Sequence, residues 1–269
     1  MADHARRPLA VNRLRFPASA LKDLCEEQRS SLLLLGLIVN ETNWLYKLLV
    51  KAVQGLPEVP AAHPDDPEEE ARWALTLALT TTLVGKVHEG WKSIHKPRLR
   101  ATLARLPLSD DLKALKKQVG RRLSGKLFSD IRNKMAFHYD EEMFDLSNLM
   151  DYLDDRDTHI YATPQGYRGD LLSPLSTLAV ANFLVGLAGP RASSEPGATV
   201  EPLVAYRQAL DEVIEVAGLF CQFACDVYAA HIAGHVPGLM VRTLSIPDAP
   251  ESGDERVFFF VHPPENLES

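Results

Sequence analysis

The chain is poor in cysteine. Its 269 residues hold three, Cys25, Cys221 and Cys225. So small and odd a number in a chain this long argues against a disulfide framework and for a reducing compartment. A long apolar run is missing too. The longest, Leu32-Leu33-Leu34-Leu35-Gly36-Leu37-Ile38-Val39, stops at Asn40-Glu41. A membrane span needs about 20 such residues, so this run reads as a buried helix. The basic stretch Met1 to Arg15 is not followed by a signal-peptide core and small-residue cleavage site. These absences predict a cytoplasmic protein without membrane contact.

Familiar catalytic motifs are absent as well. The sequence has no P-loop, no Gly-x-Gly-x-x-Gly, no His-Glu-x-x-His and no Cys-x-x-Cys. Cys221 and Cys225 stand four apart and share a helix face, but no neighbouring pair of ligands completes a metal set. They read as small apolar residues. His231 and His235 lie near the end of the last expected helix, where an imidazole gains from the helix dipole without any further role. Neither a metal site nor a cofactor is expected.

What is present is a charge asymmetry. The net charge is −7, yet from Lys86 to Lys134 there are 14 Lys or Arg against 4 Asp or Glu. That segment is therefore +10 and the remainder −17. A basic middle in an acidic chain is what a local polyanion site looks like, and also what a solvated helical surface looks like.

Apolar periodicity predicts an all-α fold, a bundle of about five to seven helices with small β-hairpin additions. Residues 1–17 read as a flexible arm, 18–235 as one helical domain, and 236–269 as a tail. The first helix is expected from about Ala20 to Gln54, capped by Ser19 and stopped by Gly55-Leu56-Pro57. Pro67 followed by Glu68, Glu69 and Glu70 starts a second, running to about Ile94 before Pro97. Ser109-Asp110-Asp111 caps a third, Asp110 to Leu123. Ser129-Asp130 caps a fourth from Ile131 to about Phe137, and Asp140 a fifth from Glu141 to Leu153. A hairpin is expected around Pro164-Gln165-Gly166, flanked by residues 159–163 and 167–169. Helices follow at Leu175–Leu187 and Glu201 to about His231, with a loop from Gly189 to Ala198 between them. The tail carries two strand-like runs, 240–244 and 257–261.

Within the basic segment, Arg132 and His138 stand out. A guanidinium offers a planar fork for a phosphate, and an imidazole moves a proton near neutral pH. Together they suffice for metal-free RNA cleavage: one assists attack of the ribose 2′-hydroxyl or protonates the leaving oxygen, the other stabilises charge on the phosphoryl oxygens. On an unbroken α-helix, residues six apart point about 120° from each other, so a break near His138 would help. In the competing reading, Arg132 pairs with a carboxylate and His138 closes a helix end.

Arg132-Asn133, then Lys134-Met135-Ala136-Phe137, then His138 resembles the signature of the HEPN superfamily, an Arg, often followed by Asn, and a His after four to six residues. Asn40-Glu41-Thr42-Asn43-Trp44-Leu45 and Gly85-Lys86-Val87-His88-Glu89-Gly90-Trp91 look like helices that precede the motif in bacterial members, so the likeness covers roughly residues 20–155. It implies a helical bundle that forms a homodimer with two motif copies facing one cleft. It also implies a metal-independent endoribonuclease of toxin–antitoxin or defence type, with an antitoxin or nucleotidyltransferase as partner. Arg132 and His138 carry over as catalytic and Asn133 as a polar helper. Tyr139 follows the His directly, whereas a common toxin form has one residue between them. Glu89, Asn40 and Asn43 either face the same cleft or cross-link the helices by hydrogen bonds. Lys86, Lys92 and Lys134 are the expected RNA contacts, and Trp91 either stacks a base or belongs to the core. Superfamily members that have lost catalysis imply the alternative, a helical module binding a protein, a nucleotide or RNA.

Overall fold

A computed structural model describes residues 9–54, 56, 67–136, 160–162, 171–192, 202–236, 238 and 240–246. In chain order they form β1 (Leu9–Arg15), α1 (Ala18–Asp23), α2 (Glu26–Gln54), α3 (Pro67–Ile94), α4 (Pro97–Leu103), α5 (Asp110–Leu123) and α6 (Lys126–Asp130). A π-helical turn (Ile131–Ala136) continues α6. Then come β2 (Tyr161–Ala162), β3 (Leu171–Leu172), α7 (Pro174–Ala192), α8 (Pro202–His235) and β4 (Met240–Ile246). The fold is all-α, with eight α-helices among the described residues and two small antiparallel sheets.

Two helices match the sequence reading in both bounds. α3 opens on Pro67 with three glutamates in its first turn, where carboxylates meet the positive end of the helix dipole. α5 is capped by Ser109, whose Oγ accepts the Leu112 N–H at 3.2 Å.

Elsewhere the structure corrects the reading. The single helix expected from Ala20 to Gln54 is two, and Ser19 lies inside the first instead of capping it. Leu24 is extended, with φ −72° and ψ 139°, and the Cys25 N–H donates to Gln28 Oε1 at 3.1 Å to start α2 afresh. Pro97, read only as a stop, is also the first residue of α4. α7 runs past Gly189-Pro190 to Ala192, where a loop was expected. The partner of Tyr161–Ala162 is Leu171–Leu172, further along than the expected 167–169. Residues 9–15, placed in the flexible arm, form β1, which pairs with β4 from Leu9↔Ile246 to Arg15↔Met240. The helix expected at 141–153, the turn at 164–166 and the strand at 257–261 lie outside the described residues.

The chain divides into two compact units. Unit one takes Met1–Tyr46, Lys86–Leu123 and Val216–Arg256, and unit two takes Lys47–Gly85, Ser124–Glu215 and Val257–Ser269. The division falls inside α2, α3 and α8, so no linker composition marks it in the sequence.

In unit one, α2 and α8 interlock by size. A Cβ on Gly36 would meet the Tyr228 hydroxyl at 3.2 Å, and one on Gly218 would meet the Tyr46 hydroxyl at 3.1 Å. Pairing 36 with 228 and 46 with 218 runs the helices antiparallel. Gly90 of α3 is tighter: its Cβ would lie 2.8 Å from Cζ of Phe220 and 3.0 Å from Cγ2 of Ile38. Nearby, Ala20, Leu24, Leu32, Ile232 and Val236 form a buried cluster with Phe16, Leu21 and Tyr228 against it. In unit two, Trp73 of α3 packs on Tyr206 of α8 with centroids 5.4 Å apart, and α6 packs on α7. Burial raises the Tyr206 phenol well above its usual range.

The apolar run in α2 is buried on one side only. Leu32, Leu35 and Ile38 are in the core, whereas Leu33 is 64% exposed, Leu37 53% and Trp44 68%. By length and composition alone, α2 and the Ala205–His235 stretch of α8 could each cross a membrane.

Candidate functional site

The Arg132 segment is anchored by its apolar residues. Gly125, extended, precedes α6, and Leu127, Phe128, Ile131 and Met135 are buried. This spacing puts an apolar stripe on the core side and leaves Arg132 and Lys134 half-buried and Asn133 exposed. From Ile131 to Ala136 the backbone is π-helical. Such turns close i→i+5 bonds, are wider than α-helix, and appear mostly as single turns within α-helices, frequently at functional sites. The 120° offset of an ideal α-helix therefore does not apply across Arg132.

The side chains form a short relay. Arg132 Nη1 donates to Asn133 Oδ1 at 3.0 Å, and Asn133 Nδ2 donates to Ser129 Oγ at 3.4 Å. The side-chain amide of Asn133 thus helps to orient the guanidinium. Ser129 was expected to cap a helix beginning at Ile131. α6 begins at Lys126 instead, so Ser129 sits inside the helix and serves Asn133. Lys134 Nζ lies 5.6 Å from the centre of the Phe183 ring of α7, a cation–π contact. His138 and Tyr139, the catalytic and supporting candidates that follow, lie outside the described residues.

The remaining candidates fall in unit one, whereas Arg132, Asn133 and Lys134 fall in unit two. Asn43 donates through Nδ2 to Cys225 Sγ at 3.2 Å, tying α2 to α8. Lys86 reaches Glu41 at 3.0 Å, and Lys92 reaches Glu89 at 3.3 Å. Asn40 is exposed on α2. Trp91 is half-buried: it packs edge-on against Phe223 at 5.8 Å, and its ring fills the space where a Cβ on Gly120 would stand, 2.9 Å away.

A basic stripe on α5 was not singled out. Lys113, Lys117 and Arg121 recur every four residues, and all three are exposed. Spacing alone identifies them. Phe183, in contrast, carries no signal linking it to Lys134 some fifty residues earlier. Among the described residues, no group of three or more His, Cys, Asp or Glu is placed to hold a metal ion. Compared with known proteins, the chain matches no family model, no curated protein and no solved structure.

Proposed function

We propose that this chain is a metal-independent endoribonuclease of bacterial toxin or defence type, acting in the cytoplasm as a homodimer, with Arg132 and His138 as its catalytic pair. The π-helical turn at Ile131–Ala136 carries the reading. Single π-helical turns are frequent at functional sites, and this one bears an arginine oriented by the side-chain amide of its neighbour.

In this reading the Arg132 guanidinium holds the scissile phosphate and stabilises the charge that builds on its oxygens. His138 moves the proton of the 2′-hydroxyl or of the leaving oxygen. Asn133 positions Arg132, and Lys134 adds positive potential beside it. Lys86 and Lys92 would contact RNA only by exchanging Glu41 and Glu89 for phosphate, a small loss for exposed ion pairs.

The purified protein, incubated with total RNA in excess chelator, is expected to give fragments with cyclic phosphate ends. Arg132→Ala and His138→Ala should each lower the rate by about 100-fold or more, the usual size of a lost transition-state donor or general acid–base. Equal cleavage by wild type and both variants would show a contaminant and end the proposal.

A second reading has its own support. Leu33, Leu37 and Trp44 make an exposed apolar stripe on α2, as in a helical module that binds a protein partner. Folded protein that leaves RNA intact and co-purifies with one specific partner supports this reading over the first.

A further inference from the structure

α8 ends in two imidazoles on one face. His231 and His235 are four residues apart, so their side chains stack along the helix. The ring centroids lie 4.7 Å apart at 43°. His231 is 0% exposed, and neither its Nδ1 nor its Nε2 has a hydrogen-bond partner among the described residues. The other polar residues of unit one that are buried as whole side chains are bonded: Ser31 donates to Thr102, Thr102 to the Arg98 carbonyl and Thr42 to the Ile38 carbonyl. A doubly orphaned imidazole is therefore an exception in its own surroundings, and such exceptions point to an unassigned role or ligand.

His235 supplies the complement. Its Nδ1 lies 3.2 Å from the His231 carbonyl oxygen. A carbonyl only accepts, so in the neutral ring Nδ1 carries the proton and Nε2 keeps a lone pair. Metal-binding histidines are oriented in this way, one nitrogen donating to backbone and the other free to ligate. His235 is half-buried, which brings the edge of the pair to water. It is also the last residue of α8, where the negative end of the helix dipole favours a cation.

We propose that His231 and His235 chelate a first-row divalent transition-metal ion of the Zn²⁺, Ni²⁺ or Cu²⁺ kind. Two histidines at i and i+4 on one helix face are the spacing through which helical zinc sites present their ligands, and neutral imidazole suits these ions. Water entering beside His235 completes the coordination. Mg²⁺ and Ca²⁺, which want oxygen ligands, are rejected. The site is independent of any ribonuclease activity at Arg132.

Untagged full-length protein, stripped with chelator, is titrated with Zn²⁺ by calorimetry and with Co²⁺ by visible absorption. One equivalent of Zn²⁺ should bind and raise the melting temperature, and Mg²⁺ should do neither. His235→Ala should fold as wild type does in chelator and weaken Zn²⁺ binding by about tenfold or more. His231→Phe keeps the buried volume and should abolish the site. If it does not fold, His235→Ala decides alone. Wild type that takes up no Zn²⁺ at millimolar concentration overturns the proposal. So does unchanged binding in His235→Ala, which would place the ion among the other seven histidines.

Discussion

At the scale of single residues, the glycines of unit one show how tightly its helices approach. Gly90 faces the ring of Phe220, which is fully buried, at a distance no real Cβ tolerates. Alanine there would gain up to about 1 kcal/mol in helix propensity, but overpacking a filled core costs about 1–3 kcal/mol. Gly90→Ala is therefore expected to destabilise by roughly 1–2 kcal/mol, read as a lower midpoint in urea unfolding. Gly186 of α7 is the contrast, since a Cβ there meets nothing within 4 Å. Gly186→Ala should stabilise by about 0.5–1 kcal/mol in the same measurement. At the candidate site, the four-residue spacing of Ser129 and Asn133 was legible, although Ser129 read as a helix cap and not as the partner of Asn133. The π-helical turn was not, since it has no composition of its own.

At the scale of elements, boundaries were legible where the chain writes its own cap. Pro67 with three glutamates, and Ser109 with two aspartates, fix α3 and α5 from local chemistry alone. The break between α1 and α2 depends instead on a folded-back contact. Arg29 donates from Nε to the Leu21 carbonyl at 3.0 Å and from Nη2 to the Leu24 carbonyl at 2.9 Å. It thus satisfies orphan groups at the end of α1. Apolar spacing runs through the break undisturbed, which is why sequence periodicity joins the two helices. Arg29→Ala should cost about 1 kcal/mol, an ordinary net value for hydrogen bonds at a partly exposed site. Amides of Ala18–Asp23 should then exchange faster with deuterated solvent while those of α5 do not change. Equal exchange in both would mean that Arg29 does not hold α1.

At the scale of the whole molecule, acid acts in two windows. Burial, and then the charge of His235, lower the His231 pKa from its usual 6.5, so the folded state resists the proton more than the unfolded chain does. The stability that neutral His231 allows is complete above pH 6.5 and is lost as pH falls below that value toward the folded-state pKa. Glu27 and Asp110 act lower down. Their own helix-start backbone and Lys113, respectively, hold these carboxyls below their ordinary 4.5 and 3.8, so their contribution disappears only as pH falls below those values. In chelator, the melting temperature should decline as pH drops from 7 to 5, and His231→Phe should flatten that decline but leave the lower window in place. A wild-type curve that is flat from pH 7 to 5 would show that His231 titrates as it does in the unfolded chain. The division into two units was invisible in the sequence for a related physical reason. Charge and apolar spacing report on single helices, and the division crosses α2, α3 and α8 without interrupting their patterns.

The β1–β4 ladder joins stretches of chain more than two hundred residues apart. Closing so long a loop is entropically costly and is repaid only once the helices between have folded. The ladder is therefore a clasp that shuts late. Its register sets how it opens: Leu9 sits opposite Ile246 at the outer end, and Arg15 opposite Met240 at the inner end. Tension between Leu9 and Ile246 loads one hydrogen-bonded pair at a time. The clasp would peel like a zip, at low force, before any helix is pulled.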